Sequence, residues 1–188
     1  MKIRFVHQTL EDRGDTKIGE ELEPGYCSNP NAWLCPGYYF WDASIDTAKW
    51  WGEERYLSKG KGYIICRTSY DYSSEGFFDL VGDTVHINDF WEAVDVAYEE
   101  YPDKPITVAL VLGLLREDSE FSNKFKAVRT YPIKSRRPIS TIQFIPKNYA
   151  YIEKDPPIQL CIWEDLSILK SPFTLIHVEK GGYTYKWK

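Results

Sequence analysis

The chain has 188 residues, a hydrophobic fraction of 43%, an aromatic fraction of 16% and a formal net charge of -5. That length supports one domain, 1–188, with a sizeable core, and no shift in composition argues for a second. The negative balance gives no global attraction for nucleic acid or an anionic membrane. No apolar run reaches the length of a membrane span, and MKIRFVHQTL alternates where a secretory leader would carry an unbroken apolar block. A cytoplasmic protein without a membrane partner is expected. Cys27, Cys35, Cys66 and Cys161 form no CxxC pair, and His7, His86 and His177 are scattered, so no metal site is expected. Reduced, structural thiols follow, with a Cys27–Cys35 disulfide as the alternative in an exported protein.

Residues 2–9, KIRFVHQT, alternate, so that Ile3, Phe5, His7 and Thr9 share one face and Lys2, Arg4, Val6 and Gln8 the other. His7 then falls on the apolar face, the place of a core histidine satisfied by a neighbour as readily as of a working one. From Leu10 to Pro36 the sequence is polar and punctuated by Gly14, Gly19, Pro24, Gly25, Asn29, Pro30 and Asn31, which predicts a loop with room for a short helix over 17–22. Loops this long in compact domains are more often functional than idle. Trp33 and Leu34 within it read as lid residues or as anchors.

Tyr38, Tyr39, Phe40 and Trp41 run consecutively, too apolar for a half-exposed strand, and predict one buried on both faces. Ser44 then caps a helix that carries Asp46 at the positive end of its dipole and sets Ile45, Ala48 and Trp51 roughly on one side. A second doubly buried strand is predicted over 62–68 and a short one over 77–80. Asp89 reads as the cap of a helix over 90–100, stopped by Pro102, and residues 106–116 as another helix, with strand as the alternative for its β-branched content. Neither helix carries a charge constellation that suggests chemistry.

Residues 124–132 and 139–145 read as strands around the basic loop Lys134, Ser135, Arg136 and Arg137, a solvated tip or a phosphate or partner contact. In 158–165, IQLCIWED, Gln159, Cys161 and Trp163 face one way and Leu160 and Ile162 the other. A strand over 173–179, a Gly181-Gly182 turn and residues 183–187 close the chain as a terminal hairpin.

The order Gly37, Tyr39, Phe40, Asp42, Ser44, Ala48, Trp50 resembles the second signature of the ADP-ribosyltransferase superfamily, in the branch of diphtheria-type toxins and poly-ADP-ribose polymerases. His7, Gln8 and Thr9 resemble the first, a His at the end of the opening strand followed by a small residue and a hydroxyl residue. Gln8 departs from it, since relatives carry Gly there, and is tolerable if its side chain points away from the cleft. Gln159 resembles the third by position, with Tyr149–Pro157 as the loop before it, but relatives of the transferring type carry a glutamate. The resemblance is strong over 3–9 and 37–51, weak over 156–170 and absent over 83–135.

The resemblance implies an α+β fold, a split β-sandwich of two mostly antiparallel sheets with flanking helices, with NAD as the bound substrate. Cleaving the nicotinamide–ribose bond passes through an oxocarbenium-like state, so a site must hold the dinucleotide bent, grip the ring and stabilise positive charge on the ribose. The implied roles are His7 on a hydroxyl of the adenosine ribose, Thr9 assisting, Tyr39 stacked on nicotinamide, and Trp50 closing the other face, with Gln8 and Ala48 in the binding wall. Gln159 would keep the hydrogen bond to the ribose but supply neither charge nor base.

The activity implied is mono-ADP-ribosyl transfer to a protein or nucleic-acid acceptor, as by an effector, toxin or defence component with a cognate inhibitor. The alternatives are a binding or interaction module of the same fold without turnover, and transfer of a 2'-phosphate from RNA to NAD, against which the acidic balance counts. An unrelated α+β domain with a fortuitous match is the plain alternative.

Overall fold

The computed structural model describes residues 2–14, 16–131, 141–147 and 150–182. The predicted basic loop at Lys134–Arg137, Tyr149 and the terminal hairpin at 183–187 lie outside them. The strands are β1 (Ile3–Glu11), β2 (Tyr26–Cys27), β3 (Gly37–Asp42), β4 (Tyr63–Asp71), β5 (Phe77–Asp79), β6 (Ala127–Thr130), β7 (Thr141–Gln143), β8 (Tyr151–Glu153), β9 (Gln159–Ile162) and β10 (Thr174–Glu179). The helices are α1 (Ile45–Arg55), α2 (Thr84–Glu100), α3 (Val108–Glu117) and α4 (Ser119–Lys124). The architecture is α+β with two sheets among the described residues, one of eight strands in the order β10-β4-β1-β3-β9-β6-β5 with β2 on β3, and a separate β7-β8 pair. All neighbours are antiparallel except β5 and β6. A parallel pair needs a long crossover, and here it carries α2, α3 and α4.

The junction between β3 and α1 shows how local chemistry sets the frame. Ala43 adopts φ 62 directly after the strand, and its N–H donates to Phe5 O on β1 at 2.9 Å. Ser44 Oγ then accepts from Thr47 N–H at 3.2 Å, a cap that contributes about 1 kcal/mol. Helix α1 lies back across β1 and β4, with its own Ala48 and Gly52 buried. Gly52 is required there, since a Cβ would sit 2.5 Å from the Tyr63 ring.

One face of the large sheet packs Val6, Phe40, Cys66, Leu160 and Leu175 with Tyr70 and Phe77. The other face packs Trp41, Tyr63 and Ile65 against Ala48 of α1, and farther along it Phe78, Cys161 and Trp163 with Phe90 of α2 and Leu112 of α3. An ionic network crosses the sheet: Asp42 accepts from Arg129 Nε at 2.8 Å and from Arg4 at 3.4 Å, and Arg129 Nη1 donates to Asp79 at 3.1 Å.

Three expectations are corrected. The predicted apolar face of the first strand fails at its start, where Ile3 and Phe5 are exposed, while Val6 on the opposite side is fully buried. Register with β4 runs the whole length of β1, from Ile3 with Asp71 to Glu11 with Tyr63, but burial is confined to Val6–Thr9; over the Phe5 ring lies the Arg67 guanidinium, 4.7 Å from its centroid, rather than apolar core. Asp89 does not cap the next helix; α2 begins at Thr84 with Asp83 accepting from Val85 N–H and His86 N–H. Residues 17–22 form no helix; Glu21 bridges to Thr174 instead. All four cysteines are free. No helix among the described residues is long and apolar enough to cross a membrane.

Candidate functional site

Strands β1 and β3 share only two register pairs, Val6 with Asp42 and His7 with Trp41. Beyond His7 they diverge, and the freed edge of β3 takes β2 through Tyr26 with Tyr38 and Cys27 with Gly37. The sheet is therefore split between β1 and β3, and a cleft of about 810 Å³ opens at the split. Its wall includes Gln8, Thr9, Tyr39, Trp41, Trp51 and Gln159, and its rim Trp33, Arg13, Arg55, Glu11 and Glu23.

Register places the predicted residues relative to one another. Arg67, His7, Trp41, Gln159 and Thr130 are direct neighbours on five successive strands, β4, β1, β3, β9 and β6. Residues directly opposite in antiparallel pairs share a face, and so do residues two apart on one strand. His7, Thr9, Tyr39, Trp41, Gln159 and Cys161 therefore all face the α1 side, with His7 and Gln159 flanking Trp41.

Two atoms of this row carry buried polar groups with no hydrogen-bond partner among the described residues, His7 Nδ1 and Gln159 Oε1. His7 is 5% exposed and Gln159 6%. Buried polar atoms are nearly always paired; Asp42 Oδ1 and Tyr70 Oη lack partners among the described residues too, and of the two atoms in this row Gln159 Oε1 belongs to the cleft wall, where a ligand would supply the missing partner. Burial and the Arg67 guanidinium push the His7 imidazole down to about 4, and Asp42 only partly offsets them. The ring is neutral at neutral pH and keeps one donor and one acceptor nitrogen.

Tyr39 is half-buried. Its hydroxyl accepts from Leu34 N–H at 2.8 Å and donates to Cys35 O at 2.7 Å, and burial raises it above the ordinary phenol value. The group is committed to anchoring the 28–36 loop, which Trp163 Nε1 also holds through Leu34 O at 2.8 Å. What Tyr39 offers a ligand is its ring face.

Other predicted residues are placed differently. Thr9 lines the cleft, but its hydroxyl donates to Ala48 O at 2.7 Å, and Ala48 is fully buried on the sheet side of α1. Neither Ala48, Trp50 nor His7 belongs to the cleft wall. Trp50 packs edge-on against Trp41 at 6.3 Å; Trp51, one residue and about 100° further round the helix, is the indole that α1 contributes, and Trp33 meets it edge-on at 6.2 Å. The shared helix face of Ile45, Ala48 and Trp51 was the available signal for it.

The expectation that Gln8 points away from the cleft is overturned. Its side chain lies in the gap between β1 and β3, where it donates to Gly25 O at 2.9 Å and Tyr39 O at 3.1 Å and accepts from Gly25 N–H at 2.7 Å. Alternation holds along β1, with Gln8 in register with Cys66 on the Val6 face, opposite His7 and Thr9; it fails as a guide to the cleft because β1 has lost its neighbour on the β3 edge here, and the carboxamide replaces the missing rungs. The described residues contain no group of three or more His, Cys, Asp or Glu that could hold a metal ion.

Comparison of the chain with protein-family models, with curated proteins and with solved structures found no match.

Proposed function

We propose that this chain is an NAD-dependent mono-ADP-ribosyltransferase-like protein, which cleaves the nicotinamide–ribose bond and transfers ADP-ribose to a macromolecular acceptor. The observation that carries the reading is the alignment of His7, Trp41 and Gln159 across three strands beside the split, with two unpartnered polar atoms at its ends. The finer fold goes with it as part of the proposal, a split sandwich, and what supports it is that β1 and β3 keep two register pairs within the one eight-stranded sheet.

In this reading the Tyr39 ring and the Trp51 indole hold the nicotinamide end, and Arg13 and Arg55 suit the pyrophosphate. Gln159, in the cleft wall, hydrogen-bonds a ribose hydroxyl. The glycosidic C–N bond breaks with its electron pair leaving on nicotinamide, and the cationic ribose carbon accepts a lone pair from the acceptor. Gln159 carries no charge, and Tyr39 is held well above the range of a base. The acceptor therefore brings a nucleophile that needs no deprotonation by these side chains.

A second reading, a module that binds NAD or ADP-ribose without turnover, is favoured by one specific feature. The carboxylates of the cleft lining are Glu11, paired with Lys61 at 2.9 Å, and Glu23, and neither belongs to β3 or β9. The two readings separate when the protein is incubated with NAD and free nicotinamide is measured with and without cell lysate. Release that depends on lysate supports transfer, release without it supports hydrolysis, and binding with no release supports the module. Absence of both binding and release removes the NAD reading.

A further inference from the structure

The hydrogen bonds of Gln8 describe a recognition element of their own. Gly25 presents its N–H and its C=O to one carboxamide, and Tyr39 adds a second C=O. One donor and two acceptors match a primary carboxamide, which offers one acceptor oxygen and two N–H bonds. The match also fixes which end of the Gln8 side chain is oxygen, since the reversed orientation would set its oxygen against two carbonyls. A carboxylate cannot donate to either carbonyl, and an ester or ketone is equally without a donor.

The surroundings are built for this contact. A Cβ on Gly25 would stand 2.6 Å from Leu10 Cδ2, the movable end of a side chain, and 3.6 Å from Gln8 Oε1, an ordinary contact, so the glycine backbone lies directly against both side chains. Tyr39 O faces the gap because the β1–β3 ladder stops at His7 and Trp41. Gln8 is 5% exposed, yet it, Gly25 and Tyr39 all border the cleft.

We propose that Gly25 and Tyr39 form a carboxamide-reading cradle in the cleft wall, that Gln8 is its resident occupant, and that a ligand's primary carboxamide enters by displacing it. The free protein is thereby self-occupied, and the cleft selects amides over the corresponding acids. The cradle stands on the hydrogen bonds alone; taking nicotinamide as its natural visitor rests on the function proposed above.

The test uses Gln8→Ala, which vacates the cradle and leaves a space that acetamide reproduces, with acetate as the isosteric acid. Thermal shift and calorimetric titration of wild type and variant with acetamide, acetate, nicotinamide and nicotinate should show both amides binding the variant at least about tenfold more tightly than wild type, an effect of roughly one hydrogen bond. The acids should gain nothing. Equal gains for amides and acids, or no gain for the amides, overturn the proposal.

If Gln8→Ala does not fold, the wild-type protein labelled with nitrogen-15 serves. Saturating acetamide should move the Gly25 amide and Gln8 side-chain resonances while acetate leaves them in place; no movement with acetamide overturns the proposal. Amide gain in the variant without any NAD binding leaves the cradle standing and removes the dinucleotide reading. NAD turnover without amide gain does the reverse.

Discussion

Substituting His7 with Gln should flatten the acid sensitivity of the fold. In the unfolded chain the imidazole titrates near 6.5, whereas burial and Arg67 hold it at about 4 in the folded protein. The folded value lies below the unfolded one, so the unfolded state binds more protons between the two. Stability is at its full value above 6.5, falls as the pH drops through the window, and levels off below 4. At pH 5 the unfolded chain is almost fully protonated at this site and the folded protein only about one-tenth so, which amounts to a loss of about 2 kcal/mol relative to pH 7.5. For a chain of this length that is a fall in Tm of about 4–8 °C.

Urea unfolding of wild type and His7→Gln at pH 7.5 and pH 5 reads the difference directly. His177, also lowered by burial and by Lys49, adds loss of the same sign but is present in both proteins. Asp12, Asp83 and Asp165 are held below 3.8 by hydrogen bonds from Lys180, His86 N–H and Ser167 N–H respectively. Their contributions are complete above 3.8 and decline below the window. Wild type should lose about 2 kcal/mol more than the variant over this interval. Equal losses in the two proteins would refute the placement of a neutral, buried His7.

Arg129→Met leaves the Asp42 carboxylate, with its side chain 1% exposed, with Arg4 at 3.4 Å as its remaining cation; the expected cost is about 3–5 kcal/mol by urea unfolding. Arg4→Met, at a more exposed and longer contact, should cost about 1 kcal/mol or less. Gly37→Ala sets a Cβ 2.7 Å from Ile162 O and Cys161 Sγ, forcing β3 from β9, and should lower stability by about 1–3 kcal/mol; Gly113→Ala, with open space in mid-α3, should raise it by about 0.5–1 kcal/mol. Trp51→Ala should weaken NAD binding by about tenfold or more in calorimetric titration, while Trp50→Ala, outside the cleft wall, should chiefly lower Tm.

Much of the frame was legible because it is written in local chemistry. The aromatic run at 38–41 had only a doubly buried strand to occupy, and Ser44 is a cap whose oxygen finds Thr47 N–H. Gln159 and Cys161 alternate with Leu160 and Ile162 along β9 as read. The boundary of α2 was missed because Asp83 and Asp89 are both competent caps, and His86, packed between Phe78 and Phe125, draws the earlier turn into the helix.

The split itself was not legible. It depends on β1 keeping two register pairs with β3 and yielding the rest of that edge to a two-residue strand in a polar loop, a contact between residues far apart in sequence. Gln8 bonding to Gly25 follows from the same divergence. The choice of Trp51 over Trp50 turns on a rotation of one helical position, which the shared face of Ile45, Ala48 and Trp51 indicated and the resemblance, placing Trp50 in the site, overrode.

The most direct measurement is the rate of nicotinamide release from NAD by wild type and by Gln159→Glu, with Gln159→Leu as the paired control. Restoring a charge at the end of the His7–Trp41–Gln159 row should raise the rate by tenfold or more through stabilisation of the oxocarbenium-like state, and leucine should reduce it to background. Indistinguishable rates in all three proteins would contradict the assignment of this row as the site of NAD cleavage.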